Sequence, residues 1–176
     1  MFPQDRQKTE TIYSFLRDQQ YALAVEHLKN ELPVYPHSRC LLSLLGYCYY
    51  HMQDFENASA QYEQLIKYHP NVEEYRVYYA QSLWKAGMHD EAIRASTHVQ
   101  SPQYQQQMTF MKAAIKYEQE DIQGLQMILK QCPSEDVETI VANSCLCYKV
   151  VKQERTIFFF AHNETIFFEK KKGRKI

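Results

Sequence analysis

Apolar residues return every three or four positions in short blocks along this chain, and polar clusters part the blocks. That period puts the apolar side chains on one face of an α-helix. It predicts helices over 9–18, with Ile12, Phe15 and Leu16 inward, and over 21–31, with Ala24, Val25 and Leu28 inward. The clearest block runs from Leu42 to Pro70, where the spacing is L-x2-L-G-x2-Y-x8-A-x3-Y-x2-L-x4-P. Two paired helices approach most closely where side chains are smallest, so Gly46 and Ala58 mark a crossing. Leu42, Leu45, Tyr49, Tyr62 and Leu65 fill the space beside it. Pro70 cannot continue a helix and restrains His69, so it closes the unit.

The pattern recurs at a period of 34. Ala24, Ala58 and Ala92 form one column, Phe15, Tyr49 and Leu83 a second, and Ile12, Gly46 and Ala80 a third; Pro36 and Pro70 keep the same spacing. A fourth unit follows one residue shorter, with Ala113 in the column of Gly46 and the larger Leu125 in that of Ala58. A period of 34 with small residues at helix crossings is the tetratricopeptide signature. The expected fold is an all-α superhelix of about four and a half helix–turn–helix repeats, at 9–36, 39–70, 73–100 and 106–131 with a half repeat at 138–149. Residues 1–8 read as a loose lead-in. Asp54 and Asp121 are the expected N-caps of two second helices, and Phe55 is placed to pack over its turn.

The 176 residues include 45% apolar side chains but only 4 Gly and 6 Pro, which fits packed helices and not a low-complexity chain. A net charge of −1 argues against a nucleic-acid partner, because no global basic field is present. The five cysteines are an odd number, and no basic segment followed by an apolar run opens the chain. Both point to a reducing compartment.

Residues 150–176 depart from the repeat. Where an Ala-centred second helix is due, the chain carries Thr156-Ile-Phe-Phe-Phe160, a second Thr-Ile-Phe-Phe run and the basic end Lys170-Lys-Lys-Gly-Arg-Lys175. Both runs are far shorter than the ~20 residues a membrane helix needs, so no membrane span is expected. Three readings stand: a membrane-surface segment with a basic end, a β-prone terminus, or an end unrelated to the repeats, as alternative splicing produces. The last fits best, since a solenoid ordinarily closes with a capping helix and this segment carries aromatics instead.

The run Leu41-Leu-Ser-Leu-Leu-Gly-Tyr-Cys-Tyr-Tyr50, with Tyr62-Glu-Gln-Leu65, His69-Pro70, Glu74-Tyr-Arg76, Tyr79-Ala-Gln81, Lys85-Ala86 and Ala113-Ala-Ile-Lys-Tyr117, resembles one family in particular. It is similar to the N-terminal part of the tetratricopeptide repeat protein 30, or intraflagellar transport protein 70, family over about residues 12–149. The resemblance implies a non-enzymatic scaffold subunit of the intraflagellar transport B particle, acting in anterograde transport of ciliary precursors and in cilium assembly, and required for polyglutamylation of axonemal tubulin. It implies other B-particle subunits as partners, above all a proline-rich segment of intraflagellar transport protein 52, with a kinesin motor as an indirect partner. It places the chain in the cilium, at axoneme and basal body, and in the cytoplasm. Full-length members have many more repeats, so a fragment or short isoform is expected, and complete encirclement of the partner is not.

In such a solenoid the first helix of each repeat lines the inner surface. By that phasing Tyr13, Arg17, Tyr47, Tyr50, His51, Trp84, Lys85, Phe110 and Tyr117 are the candidate partner-binding residues. Rings pack on proline faces and hydroxyls bond to peptide carbonyls, so an aromatic groove suits an extended or proline-rich peptide. The competing reading makes several of these rings inter-repeat core. A co-chaperone that grips an acidic peptide tail is the alternative function, and it needs inward Lys, Arg and Asn to clamp a carboxylate. The comparable places here hold Thr9, Tyr13, Tyr47 and Glu74.

Little else in the chain points to chemistry. Cys145-Leu-Cys147 with Cys132 lacks a second pair at ligand spacing, so no metal site is expected and buried free thiols are. The sequence contains no glycine-rich phosphate loop and no G-x-S-x-G elbow. Neither an enzymatic activity nor a cofactor is expected. Glu118, Glu120 and Asp121 read as a solvated turn.

Overall fold

The computed structural model describes residues 3–152. Among them helices follow one another with short turns and no strand. They are α1 (Pro3–Arg17), α2 (Tyr21–Glu31), α3 (Arg39–His51), α4 (Phe55–Tyr68), α5 (Glu74–Lys85), α6 (His89–Thr97), α7 (Pro102–Glu118) and α8 (Ile122–Leu129). A ninth, α9, occupies 137–152. The chain divides into two compact units, Met1–Met111 and Lys112–Ile176. In the first unit each helix from α1 to α5 packs on the one that follows it in sequence. This is the tetratricopeptide solenoid of stacked helix pairs that the 34-residue period predicts.

The turn inside each pair is built the same way four times. Gln19, Gln53, Gly87 and Glu120 have φ of 58°, 62°, 79° and 61°. Each is followed by a residue whose amide bonds five residues back: Gln20 to Phe15, Asp54 to Tyr49, Met88 to Leu83 and Asp121 to Lys116, at 2.8–3.0 Å. A left-handed residue with that bond is the Schellman ending, which satisfies the last carbonyls of the first helix and turns the chain sharply. The Asp54 carboxylate then accepts from Asn57 N at 3.3 Å, and that of Asp121 from Gly124 N at 2.8 Å. Both are the N-caps read from sequence. Phe55 lies 5.3 Å from Tyr50 across the turn, edge to face.

The small-residue columns hold the core. Ala24, Ala58 and Ala92 are fully buried, and Leu125 is buried in the fourth place of that column. A Cβ added to Gly46 would stand 2.8 Å from Cζ of Tyr62, so only glycine admits this ring to the crossing. Leu28, Leu42, Leu45 and Leu65 are buried around it. Each contributes about 1.5–3 kcal/mol of hydrophobic stabilisation. In the second unit Ala113, Ile115, Leu125, Leu129, Thr139 and Leu146 are buried.

Three boundaries differ from expectation. Residues 3–8 belong to α1 and are not a loose lead-in, and α7 begins at Pro102, not near Gln106. Both helices open on a proline, whose missing N–H is no loss in a first turn and whose φ suits it. Helix α9 runs past 149 to 152, and the rest of the 150–176 segment lies outside the described residues.

The joint between repeats is tied by side chains. The Glu73 carboxylate accepts from the amide of Ser101 at 2.9 Å, and also from the Gln100 amide and the Ser101 hydroxyl. These bonds join the start of α5 to the residues that lead into α7. Arg76 donates to the Pro70 carbonyl at 2.9 Å.

Candidate functional site

Helices α3 and α5 are the first helices of consecutive repeats, and their exposed faces border a cleft of about 420 Å³. From α3 come Ser43, Leu44, Tyr47, Tyr50 and His51, and from α5 Tyr75, Tyr78 and Gln81. Tyr62 of α4 forms part of the lining with the same ring that Gly46 admits to the core. Five of the nine lining residues are thus tyrosines. The α3 residues recur at three- and four-residue steps, which is why one face of one helix presents them together.

The rings fall into two groups. Tyr47 and His51 lie 4.2 Å apart, His51 stacks on Tyr21 of α2 at 5.1 Å, and Tyr21 meets Tyr47 edge to face at 6.1 Å. Across the cleft Tyr62 and Tyr78 are 5.5 Å apart. Burial pushes the phenols of Tyr50 and Tyr62 upward, with neighbouring tyrosines adding to the effect on Tyr62. Tyr78 rises to about 12, first through desolvation and then through donation to the Glu74 carboxylate. These phenols therefore stay protonated at neutral pH, as hydrogen-bond donors beside apolar faces. The lining contains no Lys and no Arg. It can bind rings, methylenes and carbonyls, and it has no Lys–Arg clamp for a carboxylate.

Of the nine residues read from sequence as partner-binding, the structure brings three together here: Tyr47, Tyr50 and His51. Tyr13 on α1 is exposed, and Arg17 pairs with the adjacent Asp18 at 3.3 Å. Trp84 is half-buried outside the lining, with Lys85 Nζ 4.2 Å above its own ring. Phe110 is half-buried on α7. Tyr117 belongs to the second unit, where Lys149 lies 4.1 Å over its ring and donates to its carbonyl. The reading missed Tyr21, Tyr62, Tyr75, Tyr78 and Gln81. Gln81 was within reach, because it stands 34 residues after Tyr47, and the sequence assigns Tyr62 to packing.

The thiols correct a second expectation. Cys48 is buried, and burial pushes it up to about 11, but Cys40, Cys145 and Cys147 are exposed and Cys132 half-buried. Among the described residues no three metal-ligating side chains gather. None of the described helices is long and apolar enough to cross a membrane.

The family described as Intraflagellar transport protein 56 matches residues 42–146, a stretch that holds every residue lining the cleft. The chain belongs to this family. Its relatives bear the name expected from the tyrosine-rich run: it is 48% identical over 145 residues to intraflagellar transport protein 70A of Xenopus tropicalis and 43% to that of Danio rerio. It is 39% identical over 155 residues to intraflagellar transport protein 70B of Rattus norvegicus. The match covers 82% of this chain and 22% of the Xenopus tropicalis protein, so the chain spans about a fifth of the length of such relatives. Membership makes it a chain of intraflagellar transport type, associated with the cilium.

Proposed function

We propose that the repeats act as a non-enzymatic scaffold module of the intraflagellar transport B particle, holding an extended proline-rich segment of a partner subunit along the tyrosine cleft. The partner in this reading is intraflagellar transport protein 52. The role is anterograde carriage of ciliary precursors along the axoneme from the basal body, with loading in the cytoplasm, a kinesin linked only through the particle, and support of tubulin polyglutamylation as a downstream consequence. The observation that carries the reading is the lining itself: five tyrosines and neither Lys nor Arg. Proline rings pack on aromatic faces, and an extended backbone offers carbonyls to phenolic donors. An acidic peptide tail, the co-chaperone alternative, would find no Lys or Arg in the lining to receive its carboxylate.

The test is a titration of the chain with a synthetic peptide spanning the proline-rich segment, followed by tyrosine fluorescence, beside an acidic C-terminal tail peptide. Saturable binding of the first and none of the second is expected. Preference for the acidic peptide, or no binding of either, would defeat the proposal.

A further inference from the structure

Cations cover aromatic faces along this chain. Lys29 Nζ lies 5.5 Å from the ring centre of Tyr49, Lys67 Nζ 5.6 Å from that of Tyr68 and Lys149 Nζ 4.1 Å from that of Tyr117. Arg39 covers Tyr75 in the same way from outside the cleft lining, at 5.6 Å, and donates to its hydroxyl through Nε. The other four tyrosines of the lining, Tyr47, Tyr50, Tyr62 and Tyr78, have no cation over them among the described residues. The face of an aromatic ring is negative and attracts positive charge. In the cleft that attraction is unused.

The polar groups lean the same way. Ser43 donates its hydroxyl proton to the Cys40 carbonyl at 3.1 Å, and Tyr78 donates its own to the Glu74 carboxylate, so both oxygens have only lone pairs left to offer. Gln81 adds an amide whose carbonyl accepts. Glu74 is exposed beside the lining, and no ion pair among the described residues engages it. It occupies one of the inner-face places where a clamp for a carboxylate needs Lys, Arg or Asn, so the sign of the charge is reversed here. Lys and Arg are the side chains that donate without accepting and carry the complementary charge. Of the two, Arg has the planar head, which stacks on a ring while its edge donates N–H groups.

We infer that the proline-rich segment held in this cleft carries an arginine, whose guanidinium stacks on Tyr78 and pairs with Glu74. The inference rests on the reading of the cleft as a groove for such a segment. The test is a calorimetric titration of the full chain with three synthetic polyproline peptides that differ at one central position, Arg, Gln or Glu, at low and at physiological salt. The Arg peptide is expected to bind roughly fivefold tighter than the Gln peptide and the Glu peptide weakest, with the Arg advantage shrinking as salt rises. In Glu74→Gln, whose amide carbonyl still accepts from Tyr78, the ratio of Arg to Gln affinity should fall below about twofold at unchanged helical circular dichroism. Equal affinity for the Arg and Gln peptides would overturn the inference and leave the groove reading intact, and so would a ratio that survives Glu74→Gln or ignores salt. Binding of none of the three would defeat both.

Discussion

Gln53 holds a left-handed conformation that Gly87 adopts without strain one repeat later. An L-residue there costs energy that glycine does not, so Gln53→Gly should stabilise the fold by about 0.5–1 kcal/mol in chemical denaturation, and Gly87→Gln should cost a similar amount. Gly46 sits at the other extreme. Gly46→Ala gains helix propensity but drives a methyl into the buried Tyr62 ring, and a net loss of about 1–2 kcal/mol is expected. Repeating the change in a Tyr62→Leu background should remove most of that loss, and an equal loss there would refute the steric account. Thr139 takes the place that Tyr75 and Met108 hold in earlier repeats, and it lines a cavity of about 500 Å³. Its buried hydroxyl has no hydrogen-bond partner among the described residues. Thr139→Val should therefore raise stability by about 1 kcal/mol. The small-residue columns were legible in the sequence because size alone selects them. The left-handed Gln19, Gln53 and Glu120 were not, because glutamine and glutamate do not announce a positive φ as glycine does.

At the scale of the element, helix starts are where sequence and structure part. Ser101-Pro102 reads as a stop, yet Pro102 opens α7 because proline is tolerated in a first turn. Helix α5 begins beside Glu73, whose carboxyl is held below the usual carboxylate range, chiefly by the Ser101 hydroxyl and amide and then by the Gln100 amide. A carboxyl depressed in the folded state stabilises above its unfolded pKa and loses that contribution as pH falls through the folded value. The stability difference between the parent chain and Glu73→Gln should thus be constant near neutrality and shrink below about pH 4.5. A difference independent of pH down to strong acid would show that the charge is not what ties the joint.

Taking the molecule as a whole, the cleft and the repeats separate binding from folding. Tyr47→Ala with Tyr78→Ala should weaken the proline-rich peptide about tenfold while helical circular dichroism holds, since Tyr47 is 44% and Tyr78 37% exposed. Trp84→Ala should leave affinity unchanged, because Trp84 lies outside the lining. The reverse pattern would relocate the site away from the cleft, to the surface around Trp84. By itself the sequence determined the all-helical repeat, its period, the alanine column and the aspartate caps, because each follows from local periodicity and from the size of single residues. It also determined that tyrosines crowd the first helices. Only the tertiary structure decided which of them share a cleft, since lining depends on how α3 and α5 are rotated against each other, and a 34-residue column does not encode that angle. It alone likewise showed Cys145 and Cys147 exposed, because burial of a helix face is a property of its neighbours and not of its own residues.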